Sequence, residues 1–216
     1  MNMKHLVWAA AAACTLIAAC ASQQPSSQKL DEMTLQVMKD SFSDKGIATV
    51  ARLDQDLGQS ACSSAEPPSD AVAQKVMAEA RASIKPPAGG QYFGDWKAGE
   101  KLAQNGRGMT WNDKSADPAT NGGNCYNCHQ ISKAEISYGT IGPTLYQYGK
   151  TRGVTDLASP NSQAIVEYTW AKLYNSKTYN ACSNMPRFGE KHLLNEAQMR
   201  DLMSLLLDPK SPVNAQ

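Results

Sequence analysis

Net charge is almost absent from this chain: 21 Lys and Arg stand against 20 Asp and Glu, leaving +1 at neutral pH. So even a balance offers nothing to recruit nucleic acid or an anionic membrane surface, and any functional charge must be local. Histidine is scarce, with three in all, and His5 sits in the leader, so His129 and His192 are the two left for general-base chemistry. Long apolar runs are also missing beyond residues 6–19, an Ala-rich stretch too short and too small-chained for a comfortable membrane span. What remains is a moderately apolar chain, long enough to bury one compact core with something smaller attached.

Residues 1–20 have the pattern of a signal peptide: Lys4 and His5 give a positive start and residues 6–19 the apolar stretch. Their end, Leu16-Ile17-Ala18-Ala19-Cys20, resembles a bacterial lipobox, in which Cys20 becomes the lipidated first residue, and the polar residues 23–28 suit an anchor tether. The alternative is ordinary cleavage around Ala19-Cys20-Ala21, releasing an unanchored chain. Both routes carry the mature protein out of the cytoplasm, to the periplasm.

The rest of the chain is organised around Cys125-Tyr126-Asn127-Cys128-His129. C-x-x-C-H is the attachment signature of a c-type haem: the two thiols add to the vinyl groups, and the adjoining His129 reaches the iron as proximal ligand. A redox dithiol would want a strand before the pair and a helix after it, whereas residues 119–124 are loop-forming. A structural zinc site would need further ligands, for which Cys182 and His192 are the downstream candidates. The motif and the export signal together favour one covalent haem c.

Cysteine arithmetic follows. Cys14 leaves with the leader, Cys20 is removed or lipidated, and Cys125 with Cys128 take the haem, so Cys62 and Cys182 are left over. In an oxidising compartment two leftover thiols most simply form a disulfide, and closing so long a loop is valued by the chain-entropy model at roughly 4–5 kcal/mol. The alternative is a reactive or metal-binding Cys182.

Hydrophobic periodicity predicts an all-α chain. Leu30, Met33, Val37 and Met38 lie at helical spacing within residues 30–42. A second helix starts at Ser69 or Asp70, carries Val72, Val76, Ala80 and Ile84 on one face, and is stopped by Pro86-Pro87; residues 58–68, with Cys62, read as loop. Met33, Met38 and Met77 are accordingly expected in the core. The pair Gly89-Gly90 marks a boundary, which divides the chain into a leader at 1–20, a helical extension at 21–90 and a main domain at 91–216. Asp95 caps the next helix, with Trp96, Gly99, Leu102 and Ala103 on one side; because Gly inside a helix costs about 1 kcal/mol, another helix is expected to cross there. After a long loop holding Met109 and Trp111, Pro160 opens a third helix with Val166, Trp170 and Leu173, and Asn195 opens the last, with Met199, Leu202, Met203 and Leu206 buried.

Two further residues complete a candidate iron site. Met185, in the loop Asn184-Met185-Pro186-Arg187 between the last two helices, is the candidate distal ligand; Met109, His192 and the helix-borne Met199 and Met203 are its rivals. Pro143, in Gly139-Thr140-Ile141-Gly142-Pro143, stands where a carbonyl could accept the His129 Nδ1–H, although Gly-Pro also makes a plain turn. Arg187, beside Met185, is a candidate for haem-propionate or partner contact, with a plain surface Arg as the alternative.

Taken together, Gly106-Arg107-Gly108, the Gly122-to-Gln130 run around C-x-x-C-H, residues 136–143, residues 184–189 and residues 207–214 resemble the SoxX family, the monohaem cytochrome c subunit of SoxAX complexes in bacterial sulfur oxidation. The resemblance implies a class I cytochrome c fold, whose first and last helices cross near small residues, with a small helical N-terminal extension. It also implies a SoxA-like haem partner, a SoxYZ-like carrier and a small cytochrome c as electron acceptor. In that setting this chain is the electron-transfer subunit of an L-cysteine S-thiosulfotransferase, with no catalytic residues of its own. A free-standing class I cytochrome c carrier, a peroxidase with an open haem position and a non-haem lipoprotein are the alternatives.

Overall fold

The computed structural model describes residues 25–215, so the expected signal segment and Cys20 lie outside the described residues. Among the described residues there are α-helices, short 3-10 turns and no strand, only an isolated bridge between Lys45 and Ala48. None of those helices is long and apolar enough to cross a membrane.

The chain divides into two compact units, one ending at Ser43 and one beginning at Asp44. In the first, helix α1 (Ser27–Ser41) starts at Ser26, whose Oγ accepts from the Lys29 amide at 3.3 Å. The predicted periodicity does form a helix, yet α1 buries no residue: Met33 is exposed and Met38 only half-buried, so neither is core. An amphipathic stripe makes a helix possible, but burial needs a second surface to pack on.

The second unit contains α2 (Leu57–Cys62), α3 (Asp70–Ala82), α4 (Trp96–Gln104), α5 (Gln163–Tyr174) and α6 (Glu196–Leu207). Helix α2 lies where a loop was expected. Its start signal is a capping box, with the Asp56 side chain accepting from the Gln59 amide at 2.9 Å and Gln59 accepting from the Asp56 amide at 3.1 Å. Six residues are too few to show a 3.6-residue period, so hydrophobicity alone could not reveal it. Ser69, Asp95 and Asn195 cap α3, α4 and α6 as expected.

Helices α4 and α6 cross at Gly99. A Cβ there would collide with the Asp201 carbonyl, so only glycine allows this approach. The entry to α4 is pinned to the same stretch of α6: Ser204 Oγ accepts from the Gly94 amide at 2.9 Å and Asp201 Oδ1 accepts from the Asp95 amide at 2.7 Å. Met199, Leu202, Met203, Leu205 and Leu207 of α6 are fully buried, each contributing roughly 1.5–3 kcal/mol by leaving water. On α5, Val166, Trp170 and Leu173 join that core, and Trp170 Nε1 donates to the Lys85 carbonyl at 2.8 Å, fastening the residues after α3 to it. The chain ends in a polar knot: buried Asn214 accepts from the Gly149 amide at 2.9 Å and donates to the Leu206 and Asp208 carbonyls at 3.0 Å.

Gly99→Ala forces α4 and α6 apart against backbone that cannot rotate away. Denaturant unfolding of the holoprotein is expected to show a loss of about 1–3 kcal/mol; an unchanged midpoint would mean the crossing tolerates a methyl group.

Candidate functional site

The C-x-x-C-H segment is a single tight turn. Residues Cys125–Asn127 form a 3-10 turn entered from Asn124 in the left-handed region (φ 51°), and the Cys125 carbonyl accepts from the Cys128 amide at 3.1 Å and the His129 amide at 2.9 Å. The turn is stitched to the end of α4, with the Gly123 amide donating to the Leu102 carbonyl at 2.9 Å and the Asn124 amide to the Asn105 carbonyl at 3.0 Å. On its other side residues 139–145 wrap around it: the Gly139, Gly142 and Leu145 amides donate to the carbonyls of Tyr126, Cys128 and Gln130 at 2.7, 2.8 and 2.7 Å.

That wrapping fixes the histidine. The Pro143 carbonyl oxygen lies 2.6 Å from His129 Nδ1. A carbonyl can only accept, so the neutral ring carries its proton on Nδ1 and presents a lone pair on Nε2, the tautomer a metal requires. Gly142 lies flat against the same ring, where a Cβ would clash with its atoms. Pro143 and Gly142 together hold the imidazole from an edge and a face.

The chemistry of the donor set fits a covalent haem better than its rivals. Cys125 and Cys128 are the free cysteines among the described residues, and Cys62 is joined to Cys182 in a disulfide with Cα atoms 5.4 Å apart. Cys182 is therefore not a further zinc ligand, and no three His, Cys, Asp or Glu side chains gather into a metal-binding group among the described residues. Burial pushes the Cys125 thiol up to about 12, the wrong direction for a dithiol redox centre, whose attacking sulfur needs a lowered pKa.

Met185 is half-buried against the main core, on which Cys125 and Tyr126 also pack. Its carbonyl accepts from Ser176 Oγ at 2.5 Å and its amide donates to Ser183 Oγ at 3.3 Å. The rivals sit otherwise. Met199 and Met203 are core residues of α6, His192 is exposed with φ 50°, and Met109 (φ 62°) is held by its carbonyl, which accepts from Arg52 at 2.7 Å. Trp111 is exposed, with the Lys45 ammonium 3.8 Å above its ring.

Arg187 is committed to protein. It pairs with Asp56 at 2.7 Å and Glu190 at 3.4 Å, and Lys191 reaches the same Asp56 at 3.3 Å. Lys177 is buried nearby, donating to the Ala181 carbonyl at 2.8 Å. Asp56 and Lys177 carry no motif, so the sequence did not single them out; the capping box is the one signal that points to Asp56.

Burial by itself would raise the Asp56 carboxyl, but hydrogen bonds from Arg187, the Gln59 amide and Lys191 hold it below the usual carboxylate range. With the folded pKa below the unfolded value, the unfolded chain binds more protons across that interval, so this contribution is complete above the ordinary Asp value near ~4 and drains away as pH falls below it. Unfolding measured from pH 7 down to 2 is expected to show Asp56→Asn losing less stability between about pH 4 and 2 than the parent; parallel profiles would contradict that.

Comparison with known proteins comes from two directions. The model of the cytochrome c family matches residues 96–208, from the start of α4 to just beyond α6. An uncharacterized lipoprotein of Aquifex aeolicus (strain VF5) is 32% identical over 206 residues, covering 88% of this chain and 91% of that protein.

Proposed function

The chain belongs to the cytochrome c family, with its all-α class I fold and haem-based electron transfer, and we propose that it carries one covalent haem c as the electron-accepting subunit of a thiosulfate-oxidising complex. The observation that carries the haem assignment is the His129–Pro143 contact within the C-x-x-C-H turn. Cys125 and Cys128 hold the haem by thioethers, His129 Nε2 binds one face of the iron and Met185 the other, and Pro143 fixes the proximal ring. A haem so held supplies a one-electron ferric–ferrous couple. A thioether ligand favours the ferrous state and raises the potential, which suits an acceptor, and two protein ligands leave no position open for substrate.

The finer role is supported by the SoxX-like segments around the motif, around Met185 and at the C-terminus. In that role a carrier cysteine thiol and thiosulfate are joined: the carrier S–H bond breaks, a sulfur–sulfur bond forms, and one proton and two electrons are released. This chain takes the electrons one at a time and hands them to a small cytochrome c, while a SoxA-like subunit holds the reacting groups. The chain is therefore not catalytic alone. Its place is the periplasm; the name of the Aquifex relative, a lipoprotein, supports the lipobox reading of Cys20, which would tether the chain there.

The test mixes oxidised protein, thiosulfate and a SoxYZ-like carrier, with and without a SoxA-like partner, and follows haem absorbance. Reduction only when the partner is present is the expected result. Equal reduction without it would overturn the subunit assignment in favour of a general carrier or a self-sufficient enzyme.

A further inference from the structure

Helix α2 touches the Met185 segment on both sides of the methionine. At its C-terminal end Cys62 is bonded to Cys182, three residues before Met185. At its start the capping residue Asp56 pairs at 2.7 Å with Arg187, two residues after Met185, and at 3.3 Å with Lys191. Between these, Lys177 donates to the Ala181 carbonyl at 2.8 Å and to the Gly58 carbonyl of α2 at 3.4 Å. The links are protected: the Arg187 side chain is 13% exposed and Lys177 8%.

We propose that α2 is a brace for the axial ligand: the Cys62–Cys182 disulfide and the Asp56–Arg187 pair hold the loop so that Met185 stays on the iron. The proposal rests on Met185 being the distal ligand. Its physical basis is that a loop ligand competes with outside ligands in proportion to how often its loop opens, since an outside ligand binds with an apparent affinity scaled by the open fraction. A covalent tie and a charge-assisted pair, one on each flank, shrink that fraction. Asp56 and Cys62 act here as positioning residues, at a distance from the haem.

The test uses full-length ferric holoprotein and two readouts: the sulfur-to-iron charge-transfer absorption that reports methionine ligation, and the affinity for imidazole, which competes for the same iron position. Cys62→Ala/Cys182→Ala removes the covalent tie. Asp56→Asn removes the charge but keeps a good N-cap for α2, so it answers even where the double variant fails to fold. Both are expected to bind imidazole about tenfold more tightly or better, a change of ~1.4 kcal/mol or more in loop opening, with a weakened methionine signal. Asp56→Glu is expected to restore parental behaviour. Gly99→Ala, destabilised away from the loop, should leave imidazole affinity unchanged; if it matched the brace variants, the effect would be general loosening and the proposal would fall. Parental imidazole affinity with a full methionine signal in Asp56→Asn and the disulfide variant would also overturn it. Met185→Ala separates the two ideas: a charge-transfer signal that survives there overturns the ligand assignment itself, whereas its loss, combined with unaffected brace variants, overturns the brace alone.

Discussion

Because Gly99 has no side chain, α4 and α6 approach until the Asp201 carbonyl of one lies against the backbone of the other, and most of the second compact unit is referenced to that contact. The end of α4 receives the Gly123 and Asn124 amides and so places the C-x-x-C-H turn. Near its start α6 adds a second reference, since Gln198 donates to the Asn121 carbonyl and Asn121 in turn donates to the Leu193 carbonyl, tying the loop before the turn to the approach to α6. Fixing two helices thus fixes the segment that carries Cys125, Cys128 and His129. A crossing made of backbone is stiff in a way that an interlock of long side chains is not.

Around that frame the site is held largely by main-chain groups. The Pro143 carbonyl sets the His129 tautomer, the Tyr126, Cys128 and Gln130 carbonyls receive the wrapping segment, and the Met185 carbonyl receives Ser176. Main-chain partners cost no side-chain rotamer entropy when they are recruited. For a protein that moves electrons and makes no bonds, this is a reasonable economy: the iron geometry has to stay the same in two oxidation states. The segment around Met185 differs, since it also depends on side chains from α2, which places Asp56 and Cys62 among the groups that act on the iron at a distance.

Exposed apolar side chains are concentrated beside the turn. Ile136 is 93% and Ile141 78% exposed, on either side of the Gly139 amide that is bonded into the motif. They contribute nothing to the packed core, so their cost in water is carried without a folding benefit. Tyr138 shares that stretch and is also exposed.

The C-x-x-C-H motif, the four polar caps at Ser69, Asp95, Pro160-linked Ser159 and Asn195, and the crossing implied by Gly99 were all legible in the sequence, because each depends on local chemistry or on one residue that only a close approach explains. Burial was less so. The stripe of α1 and the core stripe of α6 look alike as periodicities, yet one is exposed and the other sealed, since burial depends on what faces a helix. The short helix α2 was hidden for want of length, and the partners of Arg187 for want of any rule linking residues 56 and 187. By itself the sequence determined the cofactor chemistry, the helical class and the leftover cysteine pair, all properties of residue type and spacing. Only the tertiary structure decided that Cys62 meets Cys182, that Pro143 faces the Nδ1 of His129 and that Asp56 reaches Arg187, because contacts between distant residues arise from packing and leave no trace in local pattern.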